Sequence, residues 1–412
     1  MSQFDYDAII CGAGAAGLMA AIFAAERGRR VLLLEKGKKP GVKILMSGGT
    51  RCNITHDCDA RGIVEAFGPN GKFLHSALAG LGPRETVALF NAEGVATKVE
   101  DTGKVFPVSD RALDVLDALL KRLHRSGATL ALNEPVRDLE MRSEGGFRVI
   151  TPLRTLTAER VLITTGGKSY PGCGTTGDGY ALAQKFGHTI LPTRPALVPL
   201  TVQPQWPGEL RGITIPDVNL RVMPAEGKCL SQRRGSVLFA HFGLSGPAPL
   251  DVSRAVSGHA APTSLTLEAD FVPNEPEAAF DEFLRTESLS NGKKQLAGVL
   301  AEKLPRRLAD QFLSLCGMQP DRRAAALAKP DRAKLVACAK RLRLPLKGTL
   351  GFEKAEVTAG GVSLDEVDSR TMQSKKRAGL YFAGEVLDLD GWIGGYNFQS
   401  AWSTGRLAGL QL

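Results

Sequence analysis

An α/β fold built on an open parallel sheet is predicted by two stretches near opposite ends of this 412-residue chain. The first runs from an apolar segment at 6–11 through Gly12-Ala13-Gly14-Ala15-Ala16-Gly17 into a helix-like stretch from Leu18. A second strand at 29–34 (Arg29-Arg-Val-Leu-Leu-Leu34) then ends in Glu35. Strand, G-x-G-x-x-G turn, helix and strand, with an acid 18 residues after the third glycine, form the setting in which this pattern means dinucleotide binding. The second stretch is an apolar strand at 380–383 that closes on Gly384-Glu385. It continues through Asp388, Asp390 and Gly391 to Gly394-Gly395-Tyr396-Asn397 and a helix start.

In the first stretch, Gly12 permits the tight turn, Gly14 lets the backbone approach a pyrophosphate, and Gly17 lets the helix pack on the strand. The helix start at Ala15 and Ala16 offers unpaired N–H groups and a positive dipole end to phosphate. Glu35 can accept from both ribose hydroxyls and would repel a 2′-phosphate. FAD or NAD is therefore favoured over NADP, and Lys36 joins the same candidate set. A Rossmann-like turn that binds no nucleotide is the alternative.

Residues 41–56 read as a functional loop. Gly48 and Gly49 allow close backbone approach to a flat ligand. Lys43 and Arg51 could neutralise phosphate, and Ser47, Cys52 and Asn53 complete the set; a plain surface loop is the alternative. Helical periodicity covers 84–94 and 110–126, and strands are expected at 128–132, 136–141 and 147–150. The apolar run at 161–165 ends in Thr165-Gly166-Gly167, like the second flavoprotein signature, and a helix follows over 179–186. Residues 172–177 repeat G-x-G-x-x-G, but a loop separates them from the preceding strand and position 195 is proline rather than an acid. A loop lining flavin or substrate is expected there, with a nicotinamide site as the alternative.

From residue 192, closely spaced prolines alternate with short β-prone runs, which indicates a β-rich insert. Residues 276–343 carry helical spacing. In the C-terminal stretch, acids at a strand end suit ribityl hydroxyls. The helix start at Tyr396-Asn397 suits the negative charge that a reduced flavin develops. A capped helix without ligand is the alternative.

The seven cysteines (11, 52, 58, 173, 229, 316, 338) show no C-x-x-C spacing, so neither a zinc ribbon nor a disulfide framework is expected. No metal is expected. No apolar run reaches membrane-spanning length and no secretory signal is evident, so a cytoplasmic protein is expected. The formal charge is +9, and residues 289–343 hold 13 basic against 4 acidic residues, as much as the whole excess.

The segments Ser47-Gly-Gly-Thr-Arg-Cys-Asn53, His241-Phe-Gly-Leu-Ser-Gly-Pro247, Thr358-Ala-Gly-Gly-Val362 and Gly384-Glu-Val-Leu-Asp388, with Gly394-Gly-Tyr-Asn-Phe-Gln399, resemble the BaiN/YhiN-like family. This is a family of NAD(P)/FAD-dependent oxidoreductases, also called RdsA-like or aminoacetone oxidase family. The similarity spans essentially the whole chain. Thr50 stands where a smaller residue is more usual, and Gln373 where Glu is more usual.

The resemblance implies a split, glutathione-reductase-like FAD domain of residues 1–191 plus 379–412. It implies an inserted β-barrel-like domain (192–272 plus 344–378) and a basic helical insert (273–343). FAD would run from Glu35 past residues 12–17 to an isoalloxazine between 47–53 and 394–397, with Val136 as the backbone contact for adenine. NADH or NADPH would be a transient electron donor. The family's activities diverge among reduction of a uridine in large-subunit ribosomal RNA, reduction of unsaturated steroid or bile-acid intermediates, and amine oxidation. Lys293, Lys294, Arg306, Arg307, Arg322, Arg323, Lys340, Arg341 and Arg343 could contact phosphates, which favours RNA; ordinary solvated helix faces are the alternative. Reduction of a C=C bond needs a proton donor, and Cys52 and His241 are the leading candidates, with Tyr170, Cys173 and Tyr396 behind them. A small packing residue and a structural histidine are their bland alternatives. A flavin-loaded redox module without turnover is the remaining reading.

Overall fold

The computed structural model describes residues 3–412, which separate into two compact units. One runs to Pro195 and resumes at Glu356; the other is Ala196–Ala355. In the first unit, Thr129–Ala131, Val31–Leu34, Tyr6–Cys11, Thr155–Ile163 and Leu380–Phe382 lie side by side, all parallel. Their apolar runs are continuous because both sheet faces are covered. Ile10, Leu33 and Leu162 enter one hydrophobic layer with the helices Ala15–Ala25, Ala112–Ser126 and Tyr396–Gly409. Their neighbours Ile9, Leu32 and Val161 enter the opposite layer with Leu182 and Ala183. The alternation is the period-two geometry of a strand. The Rossmann-like α/β sheet expected from the sequence is present.

Helices Ala15–Ala25 and Tyr396–Gly409 approach more closely than ordinary side chains permit. A Cβ at Gly405 would lie 2.3 Å from the Ala16 carbonyl oxygen, and one at Gly409 would lie 2.4 Å from that of Ala20. Glycine is therefore required at both positions for this contact.

Some elements differ from expectation. The strand at 161–165 begins at Thr155, because its outer half alternates polar and apolar residues while pairing with the hairpin Asp138–Met141 and Phe147–Ile150. The loop at 41–56 contains the short helix Val42–Thr50, whose helical dihedrals stop at Ser47, Gly48 and Gly49. Thr55–His56, Lys104–Pro107 and Thr97–Val99 form a small antiparallel sheet whose strands are too short to show a period.

In the second unit, Leu200–Val202, Gly243–Ser245, Ser231–Ala240, Thr214–Met223, Thr266–Asp270 and Leu342–Thr349 close into a barrel, as the β-rich insert led one to expect. The helices Glu277–Ser290, Arg306–Leu315 and Lys329–Arg341 share one hydrophobic cluster with the barrel. Phe271 of the barrel side meets Phe312 edge-on at 5.4 Å. No described helix is long and apolar enough to cross a membrane.

Candidate functional site

The glycine turn closes on backbone and opens on one side. A Cβ at Gly12 would lie 2.7 Å from the Thr164 carbonyl oxygen, and one at Gly17 would lie 1.9 Å from that of Gly12. A Cβ at Gly14 would meet nothing within 4 Å. The helix behind begins without a side-chain cap, so its first N–H groups remain for a ligand. Thr164 Oγ1 donates to the Gly12 carbonyl at 2.8 Å and ties the turn to the strand that leads into Thr165, Gly166 and Gly167. Gly384 stands against Ala16, where a Cβ would come within 2.8 Å of the alanine Cβ. Three distant segments thus meet at one turn.

Glu35 is fixed at its strand end. Its carboxylate accepts from Ala13 N–H at 2.9 Å and from Gly37 N–H at 2.8 Å, with lone pairs left over for hydroxyls. Glu134 N–H donates to the Glu35 carbonyl at 2.9 Å, which brings the backbone near Val136 beside the acid. Val136 itself precedes its strand by two residues rather than heading it. Lys36 is engaged with Asp178 (2.5 Å) and Thr176 (2.6 Å). An open glycine face, an uncapped helix end and a pinned acid are the parts a dinucleotide needs, so the residues present fit FAD.

The second helix start is stitched to the segment after the loop at 41–56. In the amide orientation that satisfies both neighbours, Asn53 donates to the Thr55 carbonyl and accepts from Gly395 N–H, each at 3.0 Å. His56 Nδ1 lies 3.0 Å from the Gly394 carbonyl, and its ring stacks on Tyr396 at 4.6 Å. Thr55 donates to Gln399 at 2.6 Å, and Trp402 Nε1 donates to the Ile54 carbonyl at 2.9 Å. Asn397 closes the approach by accepting from Gly391 N–H at 2.8 Å and donating to its carbonyl at 3.1 Å. His56 closes the loop at 41–56, but only the fold reveals its partners.

Gly48, Gly49 and Thr50 are exposed, and a Cβ at Gly49 would meet open space. Arg51 has an acidic partner and an aromatic one. It pairs with Glu100 at 2.6 Å and lies 3.9 Å over the Phe106 ring, so its charge is already partnered. Lys43 is likewise paired, with Glu385 at 2.6 Å and Ser169 Oγ at 2.8 Å. Glu385 also accepts from Ser169 Oγ at 2.7 Å and Thr358 N–H at 3.0 Å. Asp388 accepts from Asn70 at 2.9 Å and Gly360 N–H at 3.0 Å, and Asp390 is buried. The acids expected to meet ribityl hydroxyls therefore first serve as clamps between chain segments. Gly167 packs on Thr358, where a Cβ would come within 2.3 Å of Oγ1.

The candidate proton donors fall in different settings. Cys52 has 0% exposure and a left-handed backbone (φ 62°), and burial pushes its thiol up to about 12. It has no open path to a substrate in this arrangement. His241 belongs to the other compact unit. It is exposed and borders a cavity of about 190 Å³ with Gln205, Phe242 and Lys347. Cys173 is half-buried, 3.1 Å from Met46 Sδ, beside the Lys43 clamp. Burial raises its pKa; Glu356 and Glu385 add to the effect and Lys43 opposes it. Tyr170, three residues earlier, has a left-handed backbone (φ 54°), and Tyr396 is buried under His56.

Most charges of the basic segment are already partnered. Lys294 pairs with Glu302, Arg306 with Asp310 (3.0 Å), Arg322 with Asp331 (2.8 Å), Arg341 with Glu277 (2.9 Å) and Arg343 with Glu268 (3.1 Å). Lys340 is buried on Asp270 at 2.8 Å. Arg307 and Arg323 donate to the carbonyls of Glu209 and Lys293. Several of these acids lie outside 289–343 and fold back onto it. The compact unit as a whole holds 22 basic against 16 acidic residues, so the surplus concentrated along the chain is diluted in the fold.

The family profile described as HI0933-like protein Rossmann domain matches residues 6–411. A ribosomal RNA dihydrouridine synthase of Escherichia coli (strain K12) is 38% identical over 404 residues, covering 97% of this chain and 96% of that protein. A 3-dehydro-bile acid delta(4,6)-reductase of Clostridium scindens is 32% identical over 408 residues, covering 97% of each. Among solved structures, a 3-ketosteroid-delta4-(5alpha)-dehydrogenase from Rhodococcus jostii RHA1 has a similar fold. Its TM-score is 0.55 at 16% identity, over 100% of this chain and 98% of that one.

Proposed function

Because the chain belongs to the HI0933-like Rossmann family of FAD-dependent oxidoreductases, we propose that it uses NADH or NADPH to reduce a carbon–carbon double bond, with a uridine of large-subunit ribosomal RNA as substrate. The observation that carries the cofactor part is the meeting of the open Gly14 turn, the pinned Glu35 and the stitched helix start at Tyr396 within one compact unit. Identity of 38% to the Escherichia coli protein over 97% of this chain supports the substrate part.

Bound FAD would supply the hydride transfer between nicotinamide and substrate. The chain's own residues hold and orient. The turn at residues 12–17 and its helix would hold the pyrophosphate, Glu35 the adenosine ribose, and residues 47–53 with 394–397 the reactive ring. We assign the proton donor to Cys173 rather than Cys52. The former is reachable and is held protonated at neutral pH by burial and the nearby acids, whereas the latter is enclosed. General acid catalysis contributes roughly 10²- to 10⁴-fold, so Cys173→Ala should slow substrate reduction about 100-fold or more. The reduction of the flavin by NAD(P)H should be unchanged. Rapid-mixing measurement of the two half-reactions separates them, and equal slowing of both would refute the assignment.

Reduction of an enone in a small molecule is the second reading. It is favoured by the paired state of the basic segment and by the Clostridium scindens relative. Mapping dihydrouridine in ribosomal RNA with and without the gene decides between them: an unchanged map removes the RNA assignment.

A further inference from the structure

His56 is the last residue of the loop at 41–56 and has no role of its own in the sequence reading, yet it touches the candidate reactive end at two points. Its Nδ1 is 3.0 Å from the Gly394 carbonyl, and its ring lies nearly parallel (20°) to Tyr396, the first residue of the C-terminal helix. A carbonyl only accepts, so Nδ1 carries hydrogen and Nε2 is the atom that titrates. We propose that His56 is a positioning residue whose protonation tunes how readily the bound flavin is reduced, an inference that rests on the FAD reading above.

The turn it holds consists of Gly394 (φ 131°) and Gly395 (φ 95°), both in the left-handed half of conformational space. Such a turn has little stiffness of its own. The hydrogen bond and the stacked ring fix it, and with it the direction of the helix N–H groups that would face a developing negative charge. Nε2 packs against Gly103, where a Cβ would come within 2.6 Å. Three charged or titratable groups surround the ring. Asp57 is adjacent in sequence, Lys104 is the cross-strand partner of His56, and Tyr396 is the stacked neighbour. Burial draws the His56 pKa below the usual histidine value and Lys104 adds to this, while the Gly394 hydrogen bond and Asp57 oppose it. The neutral ring therefore prevails at neutral pH. Its protonation in acid adds a positive charge at the helix start and favours the reduced, more negative flavin.

The test uses the full-length FAD-loaded protein. Flavin reduction potential is followed by dye equilibration from about pH 5 to about pH 8, and FAD affinity by fluorescence titration. The wild type should show an extra bend in potential against pH on the acid side. His56→Asn keeps a donor at the Nδ1 position for Gly394 but does not titrate in this range. It should hold FAD within about twofold of wild type and lose the bend. His56→Ala should lose the bend and bind FAD about tenfold more weakly, the effect of one lost hydrogen bond. A bend that survives in His56→Asn overturns the inference while leaving the FAD reading intact. Protein that takes up no FAD overturns both.

Discussion

Thr50 holds a left-handed backbone (φ 69°) at an exposed position. A β-branched residue there is strained by about 1–2 kcal/mol, and asparagine tolerates this region better. Thr50→Asn should therefore raise unfolding free energy by about 0.5–1 kcal/mol in urea titration. Glu366 makes an opposite case. Desolvation pulls its carboxyl upward, but Lys376 at 2.6 Å and the Thr189 N–H and hydroxyl outweigh it and hold the group from the ordinary 4.5 down to about 2. Its folded value lies below its unfolded one, so its contribution is full above about pH 4.5 and is lost as pH falls toward 2. Glu366→Gln should lower neutral-pH stability by about 2–3 kcal/mol and flatten the stability profile over that acid window. Residues of this kind mark what was illegible in the sequence. Gly12, Gly14, Gly17 and Glu35 are read directly because their roles arise within one local unit. His56, and the pairing of Lys43 and Arg51, depend on partners that the sequence gives no means of choosing.

Among the elements, the contact between Ala15–Ala25 and Tyr396–Gly409 is set by glycine on one side and alanine on the other. Gly405→Ala would force a Cβ onto the Ala16 carbonyl oxygen, an overpacking expected to cost about 1–3 kcal/mol. It should also displace the phosphate turn, so FAD affinity should fall together with melting temperature; a loss of stability with unchanged FAD affinity would contradict this coupling. Both helices were legible, one from its glycine turn and the other from the glycine pair that starts it. Their contact was not, since an apolar helix face does not name its neighbour. The strand at Thr155–Ile163 was half read, because its outer residues alternate as a solvent-facing strand does. The barrel was anticipated from the proline-punctuated β-prone runs, whereas its order of strands is a long-range property.

At the scale of the whole molecule, charge behaves differently along the chain and in space. If RNA is the substrate, the phosphate contacts should come from exposed lysines with no carboxylate in salt-bridge range among the described residues, of which Lys293, Lys329 and Lys347 lie in or beside the basic segment. Replacing all three by glutamine should reduce the slope of log affinity against log salt by roughly 2, at about 0.7 per single-strand phosphate contact. Replacing Arg341 and Arg343 should reduce it less, because Glu277 and Glu268 already offset them. Filter binding across a salt series measures both. The glycine seam between Ala16 and Gly405 also has a consequence for synthesis. At about 5–20 residues per second, a ribosome needs roughly 20–80 s to pass from one to the other. Throughout that interval the nascent phosphate turn exists without the helix that backs it. Acquisition of flavin is thereby deferred until the helix that carries Gly405 has been made, and a chain cut short before that helix would be distinguishable by its lack of colour.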